Sequence, residues 1–213
     1  MKKYDQNIFV KEIFSKIFQF YNKHKNWIIG ISATLGIIIA TTIIFVIRTR
    51  QTREYVHQQI ALSEGYLYRQ NYVEAYKILD NIITHYKNTR YATYAMYLKA
   101  NSLFENKEFN VAKDLCVQIL KIRKPKTIIT PSMYLLGQCY LALGNYEEAI
   151  KVFNEIIQNY ANHFYSARVY ESLAICYELK GDTTSAKSIY EKMNVLYPGS
   201  YWSQLAQQKI SKL

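Results

Sequence analysis

Between residues 27 and 47 the chain reads WIIGISATLGIIIATTIIFVI, with no charged side chain and no proline. As a helix rising about 1.5 Å per residue, this run reaches roughly 32 Å, enough to cross the hydrocarbon core of a bilayer. It predicts a transmembrane helix. A cleavable signal peptide has a shorter positive head and a shorter apolar core. Here 26 residues precede the run, and Arg48 and Arg50 follow it directly. A buried helix of a soluble domain fits less well, because Lys23, Lys25, Arg48, Arg50 and Arg53 flank the run like anchors at two water interfaces. A lipoprotein needs a cysteine just after the apolar run, and none is there.

The polar stretches on either side have patterns of their own. In residues 1–26, Ile13, Phe14, Ile17, Phe18 and Tyr21 recur at three- and four-residue spacing, which predicts a basic amphipathic helix. Such a helix lies in the membrane interface or docks on a partner; the plain alternative is a loose tail that holds topology by charge. Within the span, Ser32, Gly36 and Ala40 place three small side chains on one face, where a second helix can approach closely. That face is the candidate contact for a homodimer formed through the span.

Beyond a linker at 48–55, the hydrophobic pattern repeats every 37 residues, in segments 56–92, 93–129, 130–166 and 167–200, followed by a capping helix at 201–213. Ala75, Ala112, Ala149 and Ala186 fall in register. So do Ile82, Ile119, Ile156 and Met193, the set Tyr72, Phe109, Tyr146 and Thr183, and the set Tyr66, Leu103, Tyr140 and Tyr177. Each segment reads as two helices with a break between them. In the third, Met133, Leu136, Gly137 and Tyr140 form one stripe, Gly144-Asn145 interrupts it, and Tyr146, Ala149, Ile150, Phe153 and Ile156 form the next. Alanine is required where two helices cross closely, since a larger side chain holds the backbones apart. Gly144 and Gly181 supply the left-handed conformation that ends a helix. Tyr86 to Tyr91, Tyr160 to Tyr165 and Tyr197 to Trp202 repeat an aromatic, turn, aromatic linker that pins one hairpin to the next. The fold class is all-α: one membrane helix, then a solenoid of four hairpins.

Leu136-Gly137-x-x-Tyr140, then Gly144-Asn145-Tyr146-Glu147-Glu148-Ala149 and Phe153, resemble a tetratricopeptide repeat (TPR), and Gly181-Asp182, Ala186, Tyr190 and Pro198 continue the match. In the first two segments Gln70 and Lys107 stand where the turn glycine usually does. The resemblance implies an α-solenoid whose first helices line a concave, protein-binding face. Carried over segment by segment, the residues on that face are Ile60, Glu64, Leu67 and Tyr68; Tyr94, Tyr97, Asn101 and Phe104; Tyr134, Gln138 and Leu141; and Arg168, Glu171, Ile175 and Glu178. Tyrosine gives a large contact area with a polar tip, suited to an extended or helical peptide. The alternative is that some of these tyrosines pack only against neighbouring units. The Lys/Arg/Asn clamp that grips a C-terminal carboxylate in some such domains is replaced here by Ile60, Glu64, Leu98, Pro131 and Leu135.

Composition narrows the function classes further. Net charge is +11, of which +4 lies in residues 1–26 and +7 in residues 48–213. The basic residues are dispersed apart from Lys121, Arg123, Lys124 and Lys126, which excludes a nucleic-acid surface in favour of a solvated loop. His24, His57, His85 and His163 have no metal-binding spacing, and no nucleophile motif or phosphate loop occurs, so neither enzyme activity, metal nor cofactor is expected. Cys116, Cys139 and Cys176 fall on core positions and are expected as free thiols.

The layout of basic tail, single span and four repeats is similar to the YfgM-type ancillary subunit of the Sec translocon. That resemblance implies an inner-membrane location with the repeats on the outer, periplasmic side. It also implies partners among translocon subunits, chaperones and exported polypeptides, with lipid touching the span. Lysines before the span and arginines after it nearly balance, so charge alone leaves the orientation open. The rival readings are a scaffold for cell division or envelope assembly and a cytosol-facing docking receptor.

Overall fold

The computed structural model describes residues 6–160 and 165–213. The start of the basic tail and the turn residues Ala161, Asn162, His163 and Phe164 lie outside the described residues. The described chain is all-helical, and it divides into two units, residues 1–55 and 56–213, taken here one at a time.

In the first unit, helix α1 (Gln6–Tyr68) departs from helical geometry at His24, with φ −116° and ψ 17°. Past that break runs the one stretch among the described residues long and apolar enough to cross a membrane. None of its most apolar segment is buried. The hydroxyls of Ser32, Thr34, Thr41 and Thr42 donate to carbonyls of the preceding turn, so these polar groups are satisfied within their own helix. Around Gly36 a β-carbon would meet nothing, leaving the small-residue face open. Residues 48–55, expected as a linker, are helical.

The second unit begins with the end of α1 and continues through α2 (Tyr72–His85), α3 (Arg90–Glu105), α4 (Phe109–Ile122), α5 (Lys126–Ala142), α6 (Tyr146–Asn159), α7 (Ser166–Lys180), α8 (Thr183–Leu196) and α9 (Tyr201–Ile210). Start signals are local: Asn71, Thr89, Asp182 and Ser200 each accept a hydrogen bond from a backbone N–H three residues on. At the turns inside the hairpins, Gly144 and Gly181 both take φ 78°. Gln70 and Lys107 adopt the same left-handed conformation at φ 58° and 64°, at the positions where glycine is missing. The turn geometry is therefore constant and its residue is not.

From α2 onward each helix packs on its successor, and α5 also touches both α3 and α7, so these first helices form one layer. The core lies between the layers. Ala75, Ala112, Ala149 and Ala186 are completely buried, and Ile82, Ile119, Ile156 and Met193 nearly so. A second column that the sequence pattern did not single out is equally buried: Ser63, Ala100, Gly137 and Ala174, one from each first helix. In register on the second helices stand Leu79, Cys116, Phe153 and Tyr190, all fully buried. At one of these crossings, Gly137 against Phe153, an added β-carbon would overlap the phenyl ring.

The three cysteines are free and buried. Cys116 and Cys139 share one core cluster, and a hydrogen bond between them together with burial pushes the Cys116 thiol above its ordinary pKa. Burial alone pushes Cys176 up to about 12. Helix α9 closes the last hairpin: Ala206 is buried with Tyr190, Met193, Tyr170 and Ala174, and Trp202, Leu205 and Ile210 pack against them.

Two predictions follow from this packing, both read by urea unfolding. Left-handed backbone costs a non-glycine residue about 1 kcal/mol, so Lys107→Gly raises stability by up to about 1 kcal/mol and Gly181→Ala lowers it comparably. Gly137→Ala lowers it by about 1–3 kcal/mol through overpacking. Adding Phe153→Leu to Gly137→Ala recovers part of that loss, whereas Phe153→Leu by itself is destabilising.

Candidate peptide-binding groove

The layer of first helices in the second unit encloses an open cavity of about 260 Å³ at its centre. Helix α3 contributes Tyr97, Asn101, Phe104 and Glu105 to its wall, α5 contributes Pro131, Tyr134, Leu135 and Gln138, and Tyr165 with Arg168 closes it at α7. The spacing explains the convergence. Residues three and four apart share one helix face, so Tyr97, Asn101 and Phe104 on α3 meet Tyr134 and Gln138 on α5 once the helices lie side by side.

Six of the residues expected on the concave face thus come together: Tyr97, Asn101, Phe104, Tyr134, Gln138 and Arg168. Four more line the cavity. Glu105 lies one turn beyond Asn101 and accepts a hydrogen bond from its side-chain amide at 2.8 Å. Pro131 and Leu135 make this wall apolar where a carboxylate clamp would be cationic. Tyr165 comes from the linker and stacks on Tyr134 with ring centroids 4.9 Å apart. Its place in an aromatic, turn, aromatic motif marked it as packing; it both packs and faces the cavity.

The remaining expected residues go elsewhere. Ile60 is 6% exposed and belongs to the core with Val56, Leu79, Ile82 and Ala95, and Leu67 packs against that cluster, so neither is a free groove contact. These aliphatic side chains turn to the interior, toward α2 and α3. Tyr68 points away and is 91% exposed. Leu141 is half-buried against the core of the third hairpin, and Ile175 is half-buried on α7. Glu178 is engaged elsewhere: the buried Tyr190 hydroxyl of α8 donates to it at 2.7 Å and Lys209 of α9 pairs with it at 3.1 Å. A fully buried phenol needs an acceptor, and Glu178 supplies it.

Polar groups around the cavity are held in place. The Tyr94 hydroxyl donates to Glu64 at 3.0 Å, tying the first hairpin to the second. Gln138 donates to Ser172 at 2.6 Å, and the Ser172 hydroxyl donates to the carbonyl of Arg168 at 2.9 Å. Burial and a hydrogen bond with Tyr165 raise the Tyr97 pKa far above that of a free phenol. Burial raises Tyr134 as well. Both hydroxyls therefore stay protonated. The Arg168 side chain is exposed and unburdened by any ion pair among the described residues. Glu171, one turn along α7, has its carboxyl raised by burial against the lowering influence of Lys209 and Arg168. Among the described residues no group of three or more His, Cys, Asp or Glu side chains is arranged to hold a metal ion.

Comparison with known proteins places this arrangement among helical-repeat folds. Residues 129–192 match the tetratricopeptide repeat family, and residues 68–156 match the family described as anaphase-promoting complex, cyclosome, subunit 3. No curated protein matches the sequence. Among solved structures, the nearly identical TPR-like repeats of a Podosopora anserina protein assigned as a kinesin light chain superpose with TM-score 0.62 at 17% identity, over 74% of this chain and 84% of that one. The apo form of RapI aligns with TM-score 0.63 at 16% identity, over 71% of this chain and 45% of RapI. MamA from residue 41 to its end, from Desulfovibrio magneticus RS-1, aligns with TM-score 0.58 at 18% identity, over 74% and 92%. At these identities the likeness is one of fold.

The raised carboxyl of Glu171 gives a pH dependence of defined sign. Its folded pKa exceeds the unfolded value, so the stability it contributes is complete below the ordinary carboxylate range and is lost as pH rises through its raised value. Glu171→Gln removes that loss. The stability of the variant relative to the unaltered chain therefore climbs as pH rises through and just above the carboxylate range, then levels off, in unfolding experiments at a series of pH values.

Proposed function

We propose that this chain of tetratricopeptide repeats is a membrane-anchored, non-catalytic module that binds other polypeptides in the groove between α3, α5 and α7. The observation that carries the reading is the convergence of Tyr97, Tyr134 and Tyr165 with Asn101, Gln138 and Arg168 around one open cavity. Aromatic walls supply contact area at low entropic cost. The amides and the guanidinium can pair with the main-chain carbonyls and carboxylates of an extended segment. The long apolar helix supports anchoring in the cytoplasmic membrane with lipid around the span, and its open Ser32, Gly36 and Ala40 face supports association of two copies there.

The similarity of layout to ancillary translocon subunits supports a further reading. In it the repeats face the outer, periplasmic side and take translocon subunits, chaperones or exported polypeptides as partners, assisting export or envelope folding. Protease treatment of intact spheroplasts, probing for residues 48–213, tests the orientation. Digestion from outside is the expected result; protection until lysis would sink the export reading and leave a cytosol-facing receptor.

Photo-crosslinking from position 138 then identifies the partner. Translocon subunits or many exported chains are expected, while a single stoichiometric division protein would favour a scaffold. Tyr97→Ala and Arg168→Ala each weaken that partner's binding by about tenfold, in the range of interface hot spots, whereas Tyr68→Ala leaves it unchanged.

A further inference from the structure

We infer that residues 11–23 form a surface-lying helix that binds anionic phospholipid headgroups next to the span, an inference that rests on the reading of residues 27–47 as a membrane helix. At 100° per residue, Ile13, Phe14, Ile17, Phe18, Phe20 and Tyr21 occupy one half of the helix circumference. Lys11, Glu12, Ser15, Lys16, Gln19, Asn22 and Lys23 occupy the other. The apolar half is uncovered: Phe14 is 69% exposed, Ile17 60%, Phe18 65% and Phe20 63%. Four large side chains of this kind in water are a costly arrangement unless an apolar phase takes them up.

The break at His24 makes a bilayer surface accessible to that face. A straight helix from Gln6 to Ile47 would extend about 63 Å, twice the roughly 30 Å of an apolar core, and would hold the aromatic residues in water beyond the membrane. The non-helical φ and ψ at His24 fall just before Trp27, at the start of the span, where an amphipathic helix has to turn to lie flat. Charge selects the lipid. Lys11, Lys16 and Lys23 stand against Glu12 alone on the polar half, and residues 1–26 carry +4, so anionic headgroups are the complementary surface. Each lysine close to such a surface strengthens binding by about fivefold, equivalent to about 1 kcal/mol.

The test uses the full chain in vesicles of phosphatidylcholine and phosphatidylglycerol containing lipids brominated along the acyl chain. Trp27→Phe and Trp202→Phe remove the native indoles. Single tryptophans are then placed by Phe18→Trp on the apolar half, Gln19→Trp on the polar half and Ile38→Trp within the span. The expected result is quenching at position 18 roughly threefold stronger than at position 19, with position 19 open to iodide instead, and a fall in the quenching at 18 when phosphatidylglycerol is omitted.

Equal quenching at 18 and 19, or none at 18 while 38 is quenched, would overturn the inference and leave the span intact. Loss of quenching at 38 as well would bring down the span reading and the inference with it. Shielding of position 18 from both lipid and iodide would point to a second copy on this face and equally overturn it. Ile17→Trp against Ser15→Trp gives an independent pair should either first variant misfold.

Discussion

The close approach of paired helices is the constraint on which the repeat unit depends. Two columns of small residues run through the hairpins, Ser63, Ala100, Gly137 and Ala174 on the first helices and Ala75, Ala112, Ala149 and Ala186 on the second, and all are buried. They let the backbones near, and the bulky column Leu79, Cys116, Phe153 and Tyr190 fills the space that remains. Dispersion and apolar burial grow with that contact, while a single added methyl at Gly137 meets the Phe153 ring. Because this geometry recurs every 37 residues, successive hairpins stack alike and bring α3, α5 and α7 into one layer.

The groove is a consequence of that layer. Its polar groups are fixed by neighbours in adjacent hairpins: Gln138 by Ser172, Tyr134 by the Tyr165 ring, Tyr97 by the Tyr165 hydroxyl. A ligand entering the cavity would meet side chains whose ordering entropy is already spent. Ion pairs such as Lys99 with Asp80 and Lys180 with Glu147 link successive helices at the surface, where their contribution is small beside that of the core. At the far end Glu178 is taken up as the acceptor of the buried Tyr190 phenol on α8 and the partner of Lys209 on the cap.

The two units answer to different physical demands. In the repeats, the core apolar side chains turn toward one another between the helix layers. Among residues 11–55 the described apolar side chains are exposed all round the long apolar helix and along one half of the segment before it, and the hydroxyls of Ser32, Thr34, Thr41 and Thr42 bond to their own backbone.

Local chemistry alone determined the helices, the 37-residue period, the alanine column, the caps and the long apolar helix, because periodicity and capping depend on neighbours a few residues apart. The left-handed turns at Gly144 and Gly181 were legible in the same way, whereas Gln70 and Lys107 take that conformation, with the same turn hydrogen bonds, without the glycine that marks it. Only the tertiary structure decided which concave-face residues share a cavity. It sent Ile60 and Leu67 into the core and Glu178 to the cap, and it brought Tyr165 from a linker onto Tyr134. It also set Cys116 beside Cys139, a pair whose register gives no hint of contact. Each of these depends on where a neighbouring hairpin ends and what still needs covering or a hydrogen-bond partner. That information lies in the packing of segments about 37 residues apart, beyond the reach of any local pattern.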